Sequence, residues 1–393
     1  MKKRKMMVIV SLALIMLVII KVAWVICATN GHGFLEGEKK DIIRRANYLT
    51  SKVATSPQEL LDEMPRGIGE QFQGEWALYT CSMTTAALAN IAILYPQNKD
   101  LSILYVGQII DIAMSSEIRE YDRVRWREDP IDGIYGDLSH ISYYSHLAWM
   151  ISRYKQIGGD GRYDGMYHSL CKAMNRRIRQ SKCLNCRTYP GEQFYIPDML
   201  VAIVALANYS CQYDGKYSTT VNMWIERAKK EWIDKETGLL ASFLDYEDGT
   251  TQILQPVKGS YSALNCYYLS LVDPEFAKEQ YDCFLKGFKQ CLPITGIKEY
   301  HDDSCLFGFD IDAGPLIFGL SPSGIGFALG AATSLDDKEF RKKLLRTIEI
   351  GGCTIRWFDK SHYMVSDLAL VAEAILLAMR TSAPRTLFSS QGL

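Results

Sequence analysis

The chain has 393 residues, of which 48% are hydrophobic and 23% charged, and its formal net charge at pH 7 is −1. These shares are ordinary for a globular protein, and one repeated architecture could spread a single core over this length. The balanced charge lacks the basic footprint of nucleic-acid-binding proteins, so we expect no DNA or RNA partner.

The first 30 residues form a basic and then an apolar segment. The basic run KKRK at 2–5 precedes an apolar run at 6–20, which resumes after Lys21 and continues to Ala28. The length fits a membrane-spanning helix, and the basic residues predict a cytoplasmic start, with the folded part on the periplasmic or extracellular face. A cleaved signal peptide is the alternative. We therefore divide the chain into an anchor or signal segment, 1–30, and one domain, 31–393.

A longer pattern recurs through the domain. Each unit pairs an amphipathic outer helix with a more apolar inner helix that opens on acidic, aromatic or hydroxyl residues, and the units return roughly every 53 to 63 residues. The openings are Glu75-Trp76, Asp137-His140, Pro197-Asp198, Gly259-Ser260, Asp310-Asp312 and Ser366-Asp367. The pattern predicts an all-α fold, an (α/α)6 toroid of six helical hairpins. Inner helices that point the same way bring their N-termini and dipoles to one mouth, which is the expected site.

Hydrophobic periodicity gives approximate helix bounds. The predicted outer helices are 39–53, 101–115, 163–181, 217–234, 274–290 and 337–351. The predicted inner helices are 75–94, 138–154, 197–209, 260–271, 312–332 and 367–379. Gly324, Gly326 and Gly330 lie in the fifth inner helix, where close helix packing explains them better than a dinucleotide-binding loop.

Two of the 11 cysteines stand apart from the rest. Most cysteines lie in apolar helical runs and are expected to be inert filling. Cys183 and Cys186 form a CLNC motif in a predicted loop. The motif fits either a local disulfide or a pair of reactive thiols. Because no second pair lies at zinc-finger spacing, we predict no metal site.

The inner-helix openings hold the candidate functional residues. Helix capping explains Asp137, Ser260 and Asp367 taken singly. His140 would lie one turn into an inner helix, suited either to proton transfer or to a core hydrogen bond with a tyrosine. Tyr79 follows Glu75 by one turn and would line the same cavity.

Four segments carry a resemblance to a known family: GEWALYTCS, YGDLSHISYYSHLAW, YIPDMLVAIVALA and GFDIDAGPLIFGLSPSGIGFALGAA. In pattern and order they resemble the toroid domain of bacterial linalool dehydratase/isomerase and its relatives. The resemblance covers most of the chain after residue 30. It implies an exported enzyme that needs no cofactor and adds or removes water at an allylic tertiary alcohol, using an aspartate, a tyrosine, a histidine and two cysteines.

The resemblance also implies roles for particular residues. His140 is similar to the family histidine, Tyr79 to the tyrosine and Cys183 to the first cysteine. The second reactive group has two candidates, because Cys186 comes early and Glu192 stands nearer the expected place. No residue firmly matches the family aspartate. The main prediction is thus a hydro-lyase or isomerase that acts on a small alcohol by acid–base chemistry at the mouth.

Two other functions are predicted as alternatives. A glycoside hydrolase or polysaccharide lyase would use paired carboxylates, chosen from Glu75, Asp137, Glu192, Asp198, Asp310 and Asp312. A non-catalytic envelope protein would bind a ligand at the mouth. The expected partners are a small-molecule substrate and the membrane, and a homo-oligomer is also open. The predicted substrate-binding residues are Glu75, Trp76, Asp137, Tyr143, Tyr144, Asp198, Tyr261, Asp310 and Asp312.

Overall fold

The computed structural model describes residues 2–30, 33–65, 67, 69–291, 294–302, 305–310 and 312–382. Across these ranges the chain is mostly helical, with outer and inner helices alternating after an N-terminal helix, α1 (Lys2–Asn30). The outer helices are α2 (Gly33–Val53), α5 (Lys99–Ala113), α8 (Asp164–Gln180), α10 (Ser218–Glu231), α12 (Pro274–Phe288) and α14 (Lys338–Gly352). The inner helices are α4 (Glu70–Leu94), α7 (Ile141–Gln156), α9 (Ile196–Gln212), α11 (Gly259–Ser270), α13 (Pro322–Ser334) and α15 (Leu370–Thr381).

The inner helices form a closed ring. Each packs against the next in the order α4, α7, α9, α11, α13, α15, and α15 packs against α4. Helices such as α9 and α11 are buried on nearly every side, so their sequences are apolar around most of the helix. The amphipathic outer helices cover them, which confirms the predicted toroid of helical hairpins within the described residues.

Short strands connect the hairpins at the mouth, which is the end where the inner helices begin. They were not predicted from the sequence, so the all-α assignment holds only for the ring itself. The strands are β1 (Phe194–Tyr195), β2 (Phe243–Glu247), β3 (Thr250–Ile253), β4 (Lys289–Gln290), β5 (Gly296–Ile297), β6 (Phe307–Asp310), β7 (Gly314–Ile317), β8 (Thr354–Trp357) and β9 (Lys360–Tyr363). They pair antiparallel as β1–β2–β3, β4–β5, β6–β7 and β8–β9. Two further helices, α3 (Pro57–Asp62) and α6 (Ser116–Trp126), lie in the connections.

The predicted start of the fifth inner helix was wrong. Residues 312–321 belong mostly to the β6–β7 hairpin and the turn after it, and α13 begins at Pro322 with Ser321 as its N-cap. Gly314 has φ +82, a conformation that side chains disfavour, at the start of β7. The three glycines at 324, 326 and 330 lie within α13, where a Cβ at Gly330 would collide with Met379 and Tyr267. Close helix packing is therefore confirmed for this segment.

A buried ion-pair network joins the first outer helix to the last inner helix. Arg45 on α2 donates to Asp41 at 2.8 Å and to Glu373 of α15 at 2.7 Å. Arg380 donates to Asp41 and to Glu38, both at 2.7 Å. Although burial opposes the effect, Arg45 and Arg380 hold the pKa of Asp41 well below its usual range. The network connects the two ends of the ring.

Arg45→Met is expected to lower the free energy of unfolding by about 3–5 kcal/mol, because removing one partner leaves the Glu373 carboxylate buried without its guanidinium. Urea denaturation measures the change. Arg123→Ala is the matched control, since Arg123 pairs with Glu120 on the exposed surface of α6 and exposed pairs contribute little. Equal losses in the two variants would contradict a stabilising role for the buried network.

Among its described side chains, the N-terminal helix α1 is buried against the ring near its C-terminal end. Val25 is 1% exposed, whereas the described large apolar side chains from Met6 to Ile20 are 52% to 69% exposed. By length and composition, one described helical stretch fits a membrane span, Phe72–Leu94, and it belongs to the buried inner helix α4. A bent pair, Pro96–Ala113 with Ser116–Trp126, fits only if the two helices are counted as one broken span. The apolar stretch within α1, Ile9–Val25, is shorter.

Candidate active site

Two carboxyl groups from different inner helices lie at the mouth. Glu75 lies in the second turn of α4, and Asp198 lies in the first turn of α9. Their charges interact, because the negative charge of Asp198 raises the pKa of Glu75. We call the region around these acids the central recess; it includes Tyr79 and Tyr195, because the charge of Asp198 also raises the pKa of both tyrosines.

Glu75 is largely removed from water. Burial, followed by the charge of Asp198, raises its pKa to about 7, while the Tyr189 hydroxyl and Arg125 act in the opposite direction. The side chain still keeps part of its surface accessible. Glu75 therefore keeps its proton to near-neutral pH, as a general acid must.

Asp198 is fixed by its neighbours. The Thr188 hydroxyl donates to Asp198 Oδ2 at 2.9 Å. Burial raises the pKa of Asp198 to about 7, against this hydrogen bond. The first turn of α9 places free backbone N–H groups and the positive end of the helix dipole beside the carboxyl group, which favours its charged form. Of the two acids, Asp198 is thus the better placed to carry the negative charge.

Tyrosines surround the two acids. The pKa values of Tyr79, Tyr121 and Tyr189 are all raised, first by burial and in each case also by the charge of Asp198. Tyr268 from α11 lies beside Tyr79, and its pKa is raised in the same way. Within the described residues these hydroxyl groups are buried, and their polar neighbours belong to the protein: Tyr79 faces Tyr268, Tyr121 faces Ser142 and Tyr189 faces Glu75.

The aromatic wall continues from Tyr195 toward the strands. Tyr195 stacks edge-on against Tyr261 with ring centroids 5.6 Å apart, and lies 5.1 Å from Phe243. The Tyr261 hydroxyl donates to Asp312 Oδ2 at 2.5 Å, which ties the wall to the turn of the β6–β7 hairpin. Tyr195, Tyr261 and Asp312 therefore form one side of the recess.

Two ion pairs lie farther from the two acids. Lys258 Nζ lies 2.7 Å from Asp310 Oδ2, and Lys258 helps hold the pKa of Asp310 below its ordinary value although burial opposes this. Arg125 pairs with Glu192 at 3.1 Å and covers the Tyr189 ring at 4.1 Å. Glu192 is more than half exposed, so it lies at the rim rather than beside Asp198.

His140 is placed differently from the sequence prediction. It is the N-cap residue of α7, with φ 48, and its side chain is fully buried. Its Nδ1 lies 2.5 Å from Asp122 Oδ2, and its Nε2 lies 3.3 Å from Glu128 Oε2. Asp122 in turn raises the pKa of Asp198. His140 thus belongs to a layer behind the acids and does not line the recess.

Other predicted residues fall outside the recess. Asp137 is exposed in the connection before α7. Tyr143 and Tyr144 are fully buried, and their hydroxyls donate to the carbonyl groups of Ala113 and Pro130 at 3.0 and 2.6 Å. These tyrosines pack α7 against the α5–α6 region, so they serve the core.

The CLNC motif forms a buried loop. Cys183 and Cys186 both carry free thiols, so no disulfide joins them. The loop is anchored by Asn185, whose Oδ1 accepts from Trp224 Nε1 at 3.0 Å. Burial raises the pKa of Cys186 to about 12. A raised pKa makes a thiol unreactive, so Cys186 has a structural role in this fold.

We expect Cys186 to resist alkylation in the folded protein, because a pKa near 12 leaves about a thousandfold less thiolate than an ordinary cysteine has. The exposed residues Cys211 and Cys291 should react at normal rates. Iodoacetamide labelling followed by peptide mass spectrometry measures all three positions. Fast labelling of Cys186 before unfolding would overturn the structural role.

Sequence patterns did not predict several residues that lie near the two acids. Tyr121 lies on α6 and Tyr189 in the loop after α8, neither of which opens an inner helix. His146, on α7, meets Tyr79 edge-on at 5.2 Å and bonds Ser82 Oγ at 2.9 Å. Burial lowers the pKa of His146 to about 3, so it holds Tyr79 in place as a neutral group.

No family model matches the chain, and no curated protein does. Solved structures do share its fold. An unsaturated glucuronyl hydrolase specific for heparin matches with a TM-score of 0.56 at 10% identity, covering 90% of this chain and 97% of that one. A family 105 glycoside hydrolase of C. acetobutylicum ATCC 824 matches with a TM-score of 0.55 at 11% identity, covering 79% and 93%. An α-1,6-mannanase of Salegentibacter sp. HEL1_6 matches with a TM-score of 0.51 at 12% identity, covering 87% and 98%.

These similarities correct the main prediction. At such low identity they show the fold alone, and the proteins named are glycoside hydrolases rather than linalool dehydratase/isomerase. The expected hydration or isomerisation of a small alcohol is therefore wrong, and the carbohydrate alternative is better backed. The placement of His140 and Cys186 agrees with this correction, because neither group lines the recess as a reactive side chain.

Proposed function

We propose that this protein is a glycoside hydrolase that uses Glu75 and Asp198. The observation that carries the proposal is the presence of these two carboxyl groups at the mouth, where the charge of Asp198 acts on Glu75 and the pKa of each group is raised to about 7. A glycosidase needs one protonated and one ionised carboxyl group on either side of the scissile bond. Two acids that titrate near neutral pH and interact with each other supply that combination, because the first to ionise holds the proton on the second.

The roles follow from the surroundings of each acid. Asp198 carries the negative charge, since Thr188 and the start of α9 both favour its ionised form. Glu75 then keeps its proton and donates it to the glycosidic oxygen as the bond to the anomeric carbon breaks. The carboxylate of Asp198 stabilises the positive charge that develops on the sugar ring. One water molecule supplies the hydroxyl group of the new reducing end, and its proton restores the acid.

The wall of the recess suits a sugar. Aromatic rings such as Tyr195 and Tyr261 offer flat faces to the C–H surface of a pyranose. Glu75, which keeps part of its surface accessible, can bond the hydroxyl groups of the sugar.

Two alternatives are less well supported. A polysaccharide lyase often needs a basic side chain to remove a carbon-bound proton, but burial raises the pKa of Tyr79 and Tyr189, so both stay protonated at neutral pH and cannot accept that proton. A purely binding role does not account for two interacting acids with raised pKa values. The shared fold with glycoside hydrolases supports the proposal by analogy only.

The test is a panel of oligosaccharides incubated with the full chain, including unsaturated uronic acid disaccharides and α-1,6-linked mannans. We expect new reducing ends from one class, detected by chromatography. A double variant, Glu75→Gln with Asp198→Asn, is the control for contaminating activity. The absence of any product, or equal product from the double variant, would contradict the proposal.

A further inference from the structure

The N-terminal helix leaves the ring at the mouth. The first residues of α2 lie at the opposite end, because Glu38 pairs with Arg341 at the start of α14 and with Arg380 at the end of α15, at 2.6 and 2.7 Å. Helix α1 ends three residues before α2 begins. Farther back along α1, Lys21 Nζ lies 2.7 Å from Cys353 Sγ, directly after the last residue of α14 and so at the mouth end. Helix α1 therefore runs along the outside of the ring, with its N-terminal part toward the mouth, and residues 2–20 project beyond the mouth.

The projecting part has the chemistry of a membrane segment. The run at 6–20 is apolar apart from Ser11, and it lies between the basic residues 2–5 and Lys21. Its described large apolar side chains are all more than half exposed, which is costly in water. Fifteen residues of helix extend about 22 Å, somewhat less than the hydrocarbon core of a bilayer. A short span is accommodated by drawing its flanking residues against the membrane surface.

No linker separates this segment from the ring, because Lys21 already contacts Cys353. A bilayer around residues 6–20 would therefore lie directly against the mouth. The β8–β9 hairpin, whose base begins at Thr354, presents Trp357 and Phe358 there, 71% and 82% exposed. Tryptophan and other aromatic side chains favour the headgroup region of membranes, and the neighbouring Arg356 adds a positive charge that anionic headgroups attract.

We propose that the ring sits with its mouth toward the membrane surface, and that its substrate is a glycan bonded to a lipid of that membrane. The substrate class rests on the proposed glycoside hydrolase function, whereas the orientation does not. A mouth held against headgroups receives sugars that are presented from the bilayer and is poorly open to long soluble polysaccharides. Trp357, Phe358 and the segment 6–20 are then parts of one membrane-contacting surface.

Orientation is measured without any enzyme assay. The full chain is reconstituted into phosphatidylcholine and phosphatidylglycerol vesicles with and without brominated acyl chains, and Phe358→Trp is compared with Gln97→Trp. Gln97 is exposed in the connection between α4 and α5, at the end opposite the mouth. We expect brominated lipid to quench the added emission at 358 and to leave that at 97 unchanged. Equal quenching at both positions, or none at 358, would overturn the orientation.

The substrate class is measured with two forms of the oligosaccharide that the hydrolase panel identifies. The full chain in vesicles is given its octadecyl glycoside or its methyl glycoside. We expect faster cleavage of the octadecyl form, and loss of that preference in a Trp357→Ser, Phe358→Ser double variant. If the double variant also cleaved the methyl glycoside much more slowly than the wild type does, the hairpin would bind sugar rather than the membrane. Cleavage of neither form would count against the hydrolase function and leave the quenching result standing.

Discussion

Glu75→Gln and Asp198→Asn are each expected to lower the rate of glycoside cleavage by about 10²–10⁴-fold. Glutamine cannot donate a proton to the leaving oxygen, and asparagine cannot balance the positive charge on the sugar ring. Because both replacements keep the size of the side chain, the ring should stay folded. The measurement is kcat/KM on the oligosaccharide that the panel identifies, together with the circular dichroism spectrum of each variant.

Asp137→Asn is the matched control for this experiment. Asp137 also carries a carboxyl group at the mouth end, just before the second inner helix, α7, and it is exposed. We expect its variant to keep nearly full activity. If Asp137→Asn lost as much activity as Glu75→Gln, or if Glu75→Gln remained active, the assignment of the two acids would fail.

The carboxyl group of Glu75 should lower the stability of the protein at neutral and alkaline pH. The pKa of Glu75 is raised from an ordinary value near 4.5 to about 7. Between these two values the folded state binds more protons than the unfolded state, so the free energy of unfolding falls as pH rises. At pH 8 the wild-type protein carries a buried carboxylate that Glu75→Gln lacks. We expect the variant to be more stable there by about 1–3 kcal/mol, with no comparable difference at pH 5.

Urea denaturation at pH 5 and pH 8 measures this effect in the wild type and the variant. Asp198→Asn should give the same sign, because burial also raises the pKa of Asp198 to about 7. A variant that is less stable than the wild type at both pH values would show that Glu75 serves the core. The two outcomes separate a catalytic acid, which is retained at the expense of stability, from a structural one.

Most of the ring was predictable because helical hairpins repeat a physical pattern. A buried helix must be apolar on most faces and a covering helix on one, and this alternation can be read along the chain without knowing any contact. The predicted outer helix at 274–290 and the inner helix at 197–209 lie within a few residues of α12 and α9. The strands were not predicted because segments of two to five residues carry too little periodicity to distinguish them from loops.

The candidate site was predicted from the same repeat. Glu75, Tyr79 and Asp198 were placed at the mouth because the openings of inner helices converge wherever such a ring closes. Tyr121 and Tyr189 were missed because α6 and the loop after α8 reach the recess only through tertiary packing. His140 was assigned to the recess because a helix start located to within a few residues cannot fix the side that a residue faces; as the N-cap, it turns toward Asp122.

The sequence by itself determined the apolar N-terminal segment, the alternation of outer and inner helices and the closed ring they build, since these depend on local periodicity and composition. Only the tertiary structure decided which acids lie together and which titrate near neutral pH. Proximity and burial depend on residues that are far apart in the chain. Glu75 and Asp198 are separated by the sequence of two helical hairpins. The fold raises the pKa of each by removing it from water and by bringing another carboxylate near it, which is Asp198 for Glu75 and Asp122 for Asp198.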